Sequence, residues 1–120
     1  MLRGDTLKII DFGLAHVGSP TALNDCVGSP AYCPPEVLMR MLHDGRLADV
    51  WSLGVVLFSL TIGFWPFEHA DHRDPRFRRA RATQDGGGST VIALLASYGR
   101  PVPISAPLVA LIDSMCAPSG

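Results

Sequence analysis

The sequence predicts a mainly α domain built around one apolar helix, and three observations carry that prediction. Residues 50–67, VWSLGVVLFSLTIGFWPF, hold no formal charge. They are apolar on every face of a helix drawn through them, so they are expected to be buried in protein or in lipid. Helix-opening residues stand at Pro34-Pro35-Glu36 and at Ser105. Leu108, Val109, Leu111, Ile112 and Met115 recur at a spacing that makes one apolar helix face.

Composition sets the frame. The chain's 120 residues, 48% of them hydrophobic, suit one small folded domain with a useful core. A formal net charge of −1 creates no field that would recruit nucleic acid or anionic lipid over the whole surface, so neither partner is expected. Cys26, Cys33 and Cys116 are an odd count without metal-ligand spacing. They read as free thiols of a reducing, intracellular setting, cytoplasmic or nuclear. The start MLRGDTLKII has no long apolar stretch and no small-residue cleavage site, so no secretory signal is visible.

In chain order, Leu7-Lys8-Ile9-Ile10 reads as a short buried strand that enters a turn at Asp11-Phe12-Gly13. Residues 14–33 shift to Gly, Ser, Pro, Asn and Asp, which is loop chemistry. A helix over residues 37–42 is opened by the prolines and ended by Asp44-Gly45. The central helix is expected over 49–63, with Asp49 as its cap accepting from the amides of Trp51 or Ser52. A bilayer span needs about 20 apolar residues. This run approaches that length but is broken by Gly63 and Pro66, which favours a buried core helix over a span.

Residues 68–85 form a charged stretch, and Gly86-Gly87-Gly88-Ser89 reads as a flexible connector. A short helix over 91–96 and a last helix capped by Ser105 complete the chain. His69-x-x-His72, flanked by carboxylates, has zinc-like spacing, but no third ligand is fixed and a solvated loop is the expectation. Arg73, Arg76, Arg78, Arg79 and Arg81 are a basic run interrupted by aspartates, read as a solvated face.

Four motifs then fall in order: LKIIDFGLA (7–15), GSPAYCPPEV (28–37), DVWSLGV (49–55) and GFWPF (63–67). Their order and intervals resemble those of eukaryotic protein kinases. The chain is similar to the middle and lower part of a serine/threonine protein kinase C-terminal lobe, a truncated lobe over residues 1–120 with the activation segment at 11–36. The resemblance implies a transferase that moves the γ-phosphate of ATP to a protein Ser or Thr hydroxyl.

Carried over position by position, the resemblance makes Asp11 the ligand of the Mg²⁺ that bridges the ATP phosphates. The hard cation requires an oxygen ligand there. Phe12 is similar to the family's apolar anchor, and Gly13 permits the turn. Ser29 and Tyr32 stand where such kinases hold the substrate backbone. Glu36 matches the Glu that pairs with an Arg near the domain's end, and no arginine follows Arg100. Asp49 would hold catalytic-loop amides, with Trp51, Ser52 and Gly54 completing that motif. Two positions depart from the pattern. Pro34 replaces an alanine, fixing φ and removing a donor. Asp25 occupies the place of an activating phosphothreonine, with about half its charge.

The phosphoryl-transfer template also needs a Gly-rich loop, a strand lysine paired with a glutamate, and His-Arg-Asp followed by Asn. None occurs in this sequence. A truncated gene or a fragment is therefore expected, inactive alone, binding no ATP or Mg²⁺ by itself. Its apolar surface would require the missing kinase lobe or another protein as cover. A pseudokinase-like interaction module is the alternative.

Overall fold

The computed structural model describes residues 2–4, 6–9, 12, 30–39 and 41–117. Leu2–Arg3 (β1) and Thr6–Leu7 (β2) pair antiparallel, with Leu2 opposite Leu7. Gly4 turns between them at φ 63°, a left-handed value that glycine adopts without a Cβ penalty. The expected buried strand at 7–10 is corrected. Leu7 is 71% and Ile9 80% exposed, because no described element covers this hairpin.

The remainder is helical, as predicted. After a 3-10 turn at Pro30–Tyr32 come α1 (Pro35–Leu38), α2 (Gly45–Ile62), α3 (Pro75–Asp85), α4 (Thr90–Ser97) and α5 (Ala106–Met115). Helix α1 is shorter than the expected 37–42, and Asp44-Gly45 does not terminate it. Asp44 instead caps α2 and Gly45 is its first helical residue. With extended backbone (φ −89°, ψ 118°), Asp44 accepts the Arg46 amide at 2.9 Å. The cap expected at Asp49 is thus displaced five positions upstream, and Asp49 lies exposed within the helix. At the other end Gly63 takes φ 102° and donates to the Ser59 carbonyl at 3.0 Å, the left-handed stop that glycine permits.

Helix α2 is buried on one face only. Trp51, Val55 and Phe58, at i, i+4 and i+7, face a core shared with Val91, Leu94 and Leu95 of α4 and Val109 and Ile112 of α5. Each large side chain so buried contributes about 1.5–3 kcal/mol relative to exposure. The expectation of burial all round is corrected, since Val50, Leu53 and Leu60 on the other side are 43–79% exposed. Among the described residues α2 is the one helix long and apolar enough for a bilayer, and its inner face is packed as a core helix. Its hydroxyls are satisfied locally. Ser59 Oγ donates to the Val55 carbonyl at 2.8 Å and Thr61 Oγ1 to the Leu57 carbonyl at 2.7 Å.

The charged stretch holds a helix that the composition hid. Asp74 caps α3, Pro75 occupies its first turn, and Ala80 is its buried contact. The glycine connector is a hydrogen-bonded turn rather than a free linker. Gly87 donates to Gln84 at 2.9 Å and Gly88 to Thr83 at 2.8 Å. Ser89 then caps α4 through the Ile92 amide, and Asp113 of α5 accepts the Val91 amide at 3.0 Å, tying α5 to the start of α4. Ser105 caps α5 as predicted, accepting the Leu108 amide at 3.4 Å.

Candidate functional site

Helix α2 carries the loop of interest. Ser52 Oγ donates to the Tyr32 carbonyl at 2.7 Å while sharing the Ala48 carbonyl of its own helix at 3.1 Å. The Tyr32 ring meets Trp65 edge-on, centroids 5.0 Å apart. The Cys33 amide closes the 3-10 turn onto Pro30 at 3.2 Å. One side-chain bond ties Tyr32 to the central helix, one ring contact ties it to the 63–67 loop, and a backbone bond closes the 30–33 turn on itself.

Trp51 is buried and stacks on Phe67 at 6.4 Å; its Nε1 has no hydrogen-bond partner among the described residues. Gly54 lies against α5, where the two helices cross closely. Glu36 sits half-buried in the first turn of α1, near the positive end of that short helix. Phe12 is 68% exposed, so the described residues provide no packing for the expected anchor. Asp11, Gly13, Asp25 and Ser29 lie outside the described residues, as does most of the expected activation segment. The structure thus brings Tyr32 to Ser52, while Trp51 packs on Phe67 and Gly54 on α5, and Asp49 and Phe12 are exposed.

Next to this loop opens a cleft of about 620 Å³ lined by Pro30, Ala31, Phe64, Trp65, Tyr98 and Arg100, with Phe67, Glu68, His69 and Arg76 completing it. Its walls are braced by residues that the sequence did not single out. The Asp74 carboxylate, buried, accepts the amides of Glu68 at 2.7 Å, His69 at 3.4 Å and Arg76 at 2.8 Å. Burial opposes its ionisation, but the Glu68 and Arg76 amides and the nearby Arg76 guanidinium outweigh that and hold its pKa below 3.8. Arg76 in turn donates to the Trp65 carbonyl at 3.4 Å and to Tyr98 Oη at 3.2 Å. The dipeptide Asp74-Pro75 was the readable signal, because a cap followed by proline opens a helix. Nothing in the sequence announces the convergence of Trp65, Tyr98 and Arg100.

The basic run is not uniformly solvated. Arg73 pairs with buried Asp71 at 2.6 Å, Arg81 with Asp85 at 3.2 Å, and partly buried Arg76 with Asp74 at 3.5 Å. Among the described residues no cluster of three His, Cys, Asp or Glu could hold a metal, so His69 and His72 do not make a zinc site there.

The sequence profile of the family described as "Protein kinase domain" matches residues 1–119. The chain belongs to the protein kinase domain family. Its similarity to individual kinases agrees. It is 49% identical over 63 residues to the probable serine/threonine-protein kinase MARK-A of Dictyostelium discoideum, covering 52% of this chain and 6% of that protein. It is 46% identical over 71 residues to the serine/threonine-protein kinase SRK2D of Arabidopsis thaliana, covering 58% of this chain and 19% of that one. It is 44% identical over 84 residues to the serine/threonine-protein kinase SAPK9 of Oryza sativa subsp. japonica, covering 66% and 23%. The chain thus spans less than a quarter of the length of these curated kinases. Its mostly helical architecture is compatible with part of a kinase C-terminal lobe, the fold class that the motifs predict.

Proposed function

We propose that this chain is the substrate-positioning part of a Ser/Thr protein kinase, and that phosphoryl transfer requires kinase residues this sequence does not contain. The observation that carries the reading is the Ser52–Tyr32 bond. It mounts the Pro30-Ala31-Tyr32 turn on the central helix, as a loop that must hold an extended peptide in register requires. In the complete domain Ser29 and Tyr32 would hold the substrate's backbone, and the carboxylate of Asp49, exposed here, would accept catalytic-loop amides.

Among the described residues no group of three His, Cys, Asp or Glu could hold a metal ion, and Asp11 falls outside them. In the complete kinase the metal would neutralise charge on the transferring phosphate, with Asp11 among its ligands. With no His-Arg-Asp and no paired strand lysine, the isolated chain cannot position a nucleotide and a hydroxyl together, and it is inactive.

Two measurements test this. In-frame coding sequence upstream of Met1 that encodes His-Arg-Asp and a following Asn supports the truncated enzyme; a stop codon without it supports a non-catalytic remnant. Mg²⁺-dependent nucleotide binding by the purified chain contradicts the inactivity. Asp25 is assigned a phosphate-mimicking role, so Asp25→Ala in the complete enzyme lowers activity; unchanged activity removes that assignment. The exposed apolar side of α2 favours the second reading, a pseudokinase-like module that binds another protein.

A further inference from the structure

We propose that the bare side of α2 pairs with the same side of a second copy of this chain, the two helices antiparallel about a two-fold axis at the level of Val55. The pairing concerns the chain as it stands and holds under either reading of its function.

The two sides of α2 have different fates. Trp51, Val55 and Phe58 fill the core against α4 and α5. Opposite them Val50, Leu53 and Leu60 are exposed, and Leu57 between them is only partly covered. These four fall within a stripe about 80° wide on a helix of 3.6 residues per turn. The 3-10 turn and α5 pack on other sides of α2 and leave this stripe bare.

The spacing selects the occupant. Positions 50, 53, 57 and 60 are separated by three, four and three residues, a series that reads the same from either end. Alternating steps of three and four are those of side chains that interlock between two helices crossing at about 20°. A reversed copy therefore supplies matching knobs. Val50 stands opposite Leu60 and Leu53 opposite Leu57, and the two-fold axis repeats both contacts.

Charge fixes the direction. Arg46, one turn before Val50, lies on the same stripe and is exposed. A parallel pair in register would set Arg46 against its own copy, a like-charge contact on the seam. In the antiparallel pair the charged first turns lie at opposite ends, each beside the partner's uncharged Gly63 end, and the helix dipoles oppose. Thr61, which flanks the stripe, already donates to the Leu57 carbonyl at 2.7 Å, so its hydroxyl is not orphaned by cover. Lipid is the poorer cover. A helix lying in a membrane surface carries a row of basic residues, and Arg46 is the one basic residue of α2.

Four side chains per copy make an interface below the standard size, so the dimer is weak, with a Kd on the order of 100 µM. Sedimentation equilibrium of the full chain at concentrations spanning that value should show a reversible monomer–dimer exchange. In a mixture of isotope-labelled and unlabelled chains, intermolecular NOEs should join the methyls of Val50 and Leu60. These residues stand about 15 Å apart along one helix, so the signal arises only between copies. Val50→Lys and Leu60→Glu should each weaken the dimer about tenfold or more. The two changes in one chain should recover most of that loss, because each lysine then meets the partner's glutamate. Urea unfolding checks that the variants, altered only at exposed positions, keep the fold; should one unfold, the NOE on the wild type decides.

A chain monomeric at every concentration overturns the proposal. So does an NOE between Val50 and its own copy, or a folded double variant that recovers nothing. A monomer that binds phosphatidylcholine vesicles assigns the stripe to lipid. A monomer that does not assigns it to a different protein, and either result overturns the pairing.

Discussion

A Cβ placed on Gly54 would stand 2.8 Å from Cys116 Sγ and 2.8 Å from Met115 Cβ. Helices α2 and α5 therefore cross at a distance that only glycine allows. In an isolated helix Gly54→Ala gains about 1 kcal/mol of propensity. In this fold the overpacking exceeds that gain, with a net loss of about 1–3 kcal/mol. Urea unfolding of the two chains measures the difference, and an equal or higher midpoint for the alanine variant refutes the close crossing.

The same contact controls the thiol. Burial, aided by the Asp113 carboxylate, pushes the Cys116 pKa from an ordinary 9.0 up to about 12. The folded state holds the proton that the unfolded state releases. Stability from this group is therefore full below pH 9 and lost progressively as pH rises toward 12. Comparing wild type with Cys116→Ala across that range isolates the slope from other alkaline groups. A native Cys116 that alkylates as fast as the urea-unfolded one contradicts the assignment.

Acid acts on a different pair. The Arg73 guanidinium, bonded to both Asp71 oxygens, holds that carboxyl down to about 2 from 3.8. Its contribution is present above pH 3.8 and lost as pH falls through about 2. Arg73→Gln should let the Asp71 pKa rise toward 3.8, while the Arg73-position amide, 2.9 Å from Asp71 Oδ1, retains part of the shift. Carboxyl-carbon NMR titration reads this directly.

Removing Asp74 strips one carboxylate from three amides and from the cap of α3. Asp74→Ala should cost about 2 kcal/mol or more, since a cap and a buried acceptor are lost together. Hydrogen exchange of the Glu68 amide should accelerate beyond what global destabilisation explains. Asp74→Asn keeps an acceptor oxygen and should cost less.

The outer side of α2 is expected to drive self-association. Leu53 is 57% and Leu60 79% exposed on that side. Leu53→Gln with Leu60→Gln should shift the chain toward monomer in sedimentation velocity, with stability changed by less than about 0.5 kcal/mol. A monomeric wild type, or a double variant that unfolds, defeats this expectation.

Much of the helical order was readable because it rests on local rules. Pro35, Ser105 and Gly63 mark helix ends by fixed φ, by a hydroxyl acceptor and by tolerance of positive φ, none of which needs a tertiary partner. The misreadings share a cause. Asp44 and Asp49 are equally good caps on paper, and the backbone chose Asp44 because Gly45, Arg46 and Leu47 continue the helix upstream. Residues 75–85 looked like solvated charge because their helix buries little more than Ala80, with Phe77 partly buried against the core.

The sequence alone determined the family, because four ordered motifs, each tied to a backbone or charge requirement, survive without coordinates. It also determined the openings of α1 and α5 and the stop of α2 at Gly63. The tertiary structure decided which side of α2 is core and which is bare, that Gly54 is held by Cys116, and that Phe64, Tyr98, Arg76 and Arg100 meet in one cleft. Those facts join residues of different elements, as far apart as Trp51 and Cys116, and contacts between distant positions leave no local pattern to read.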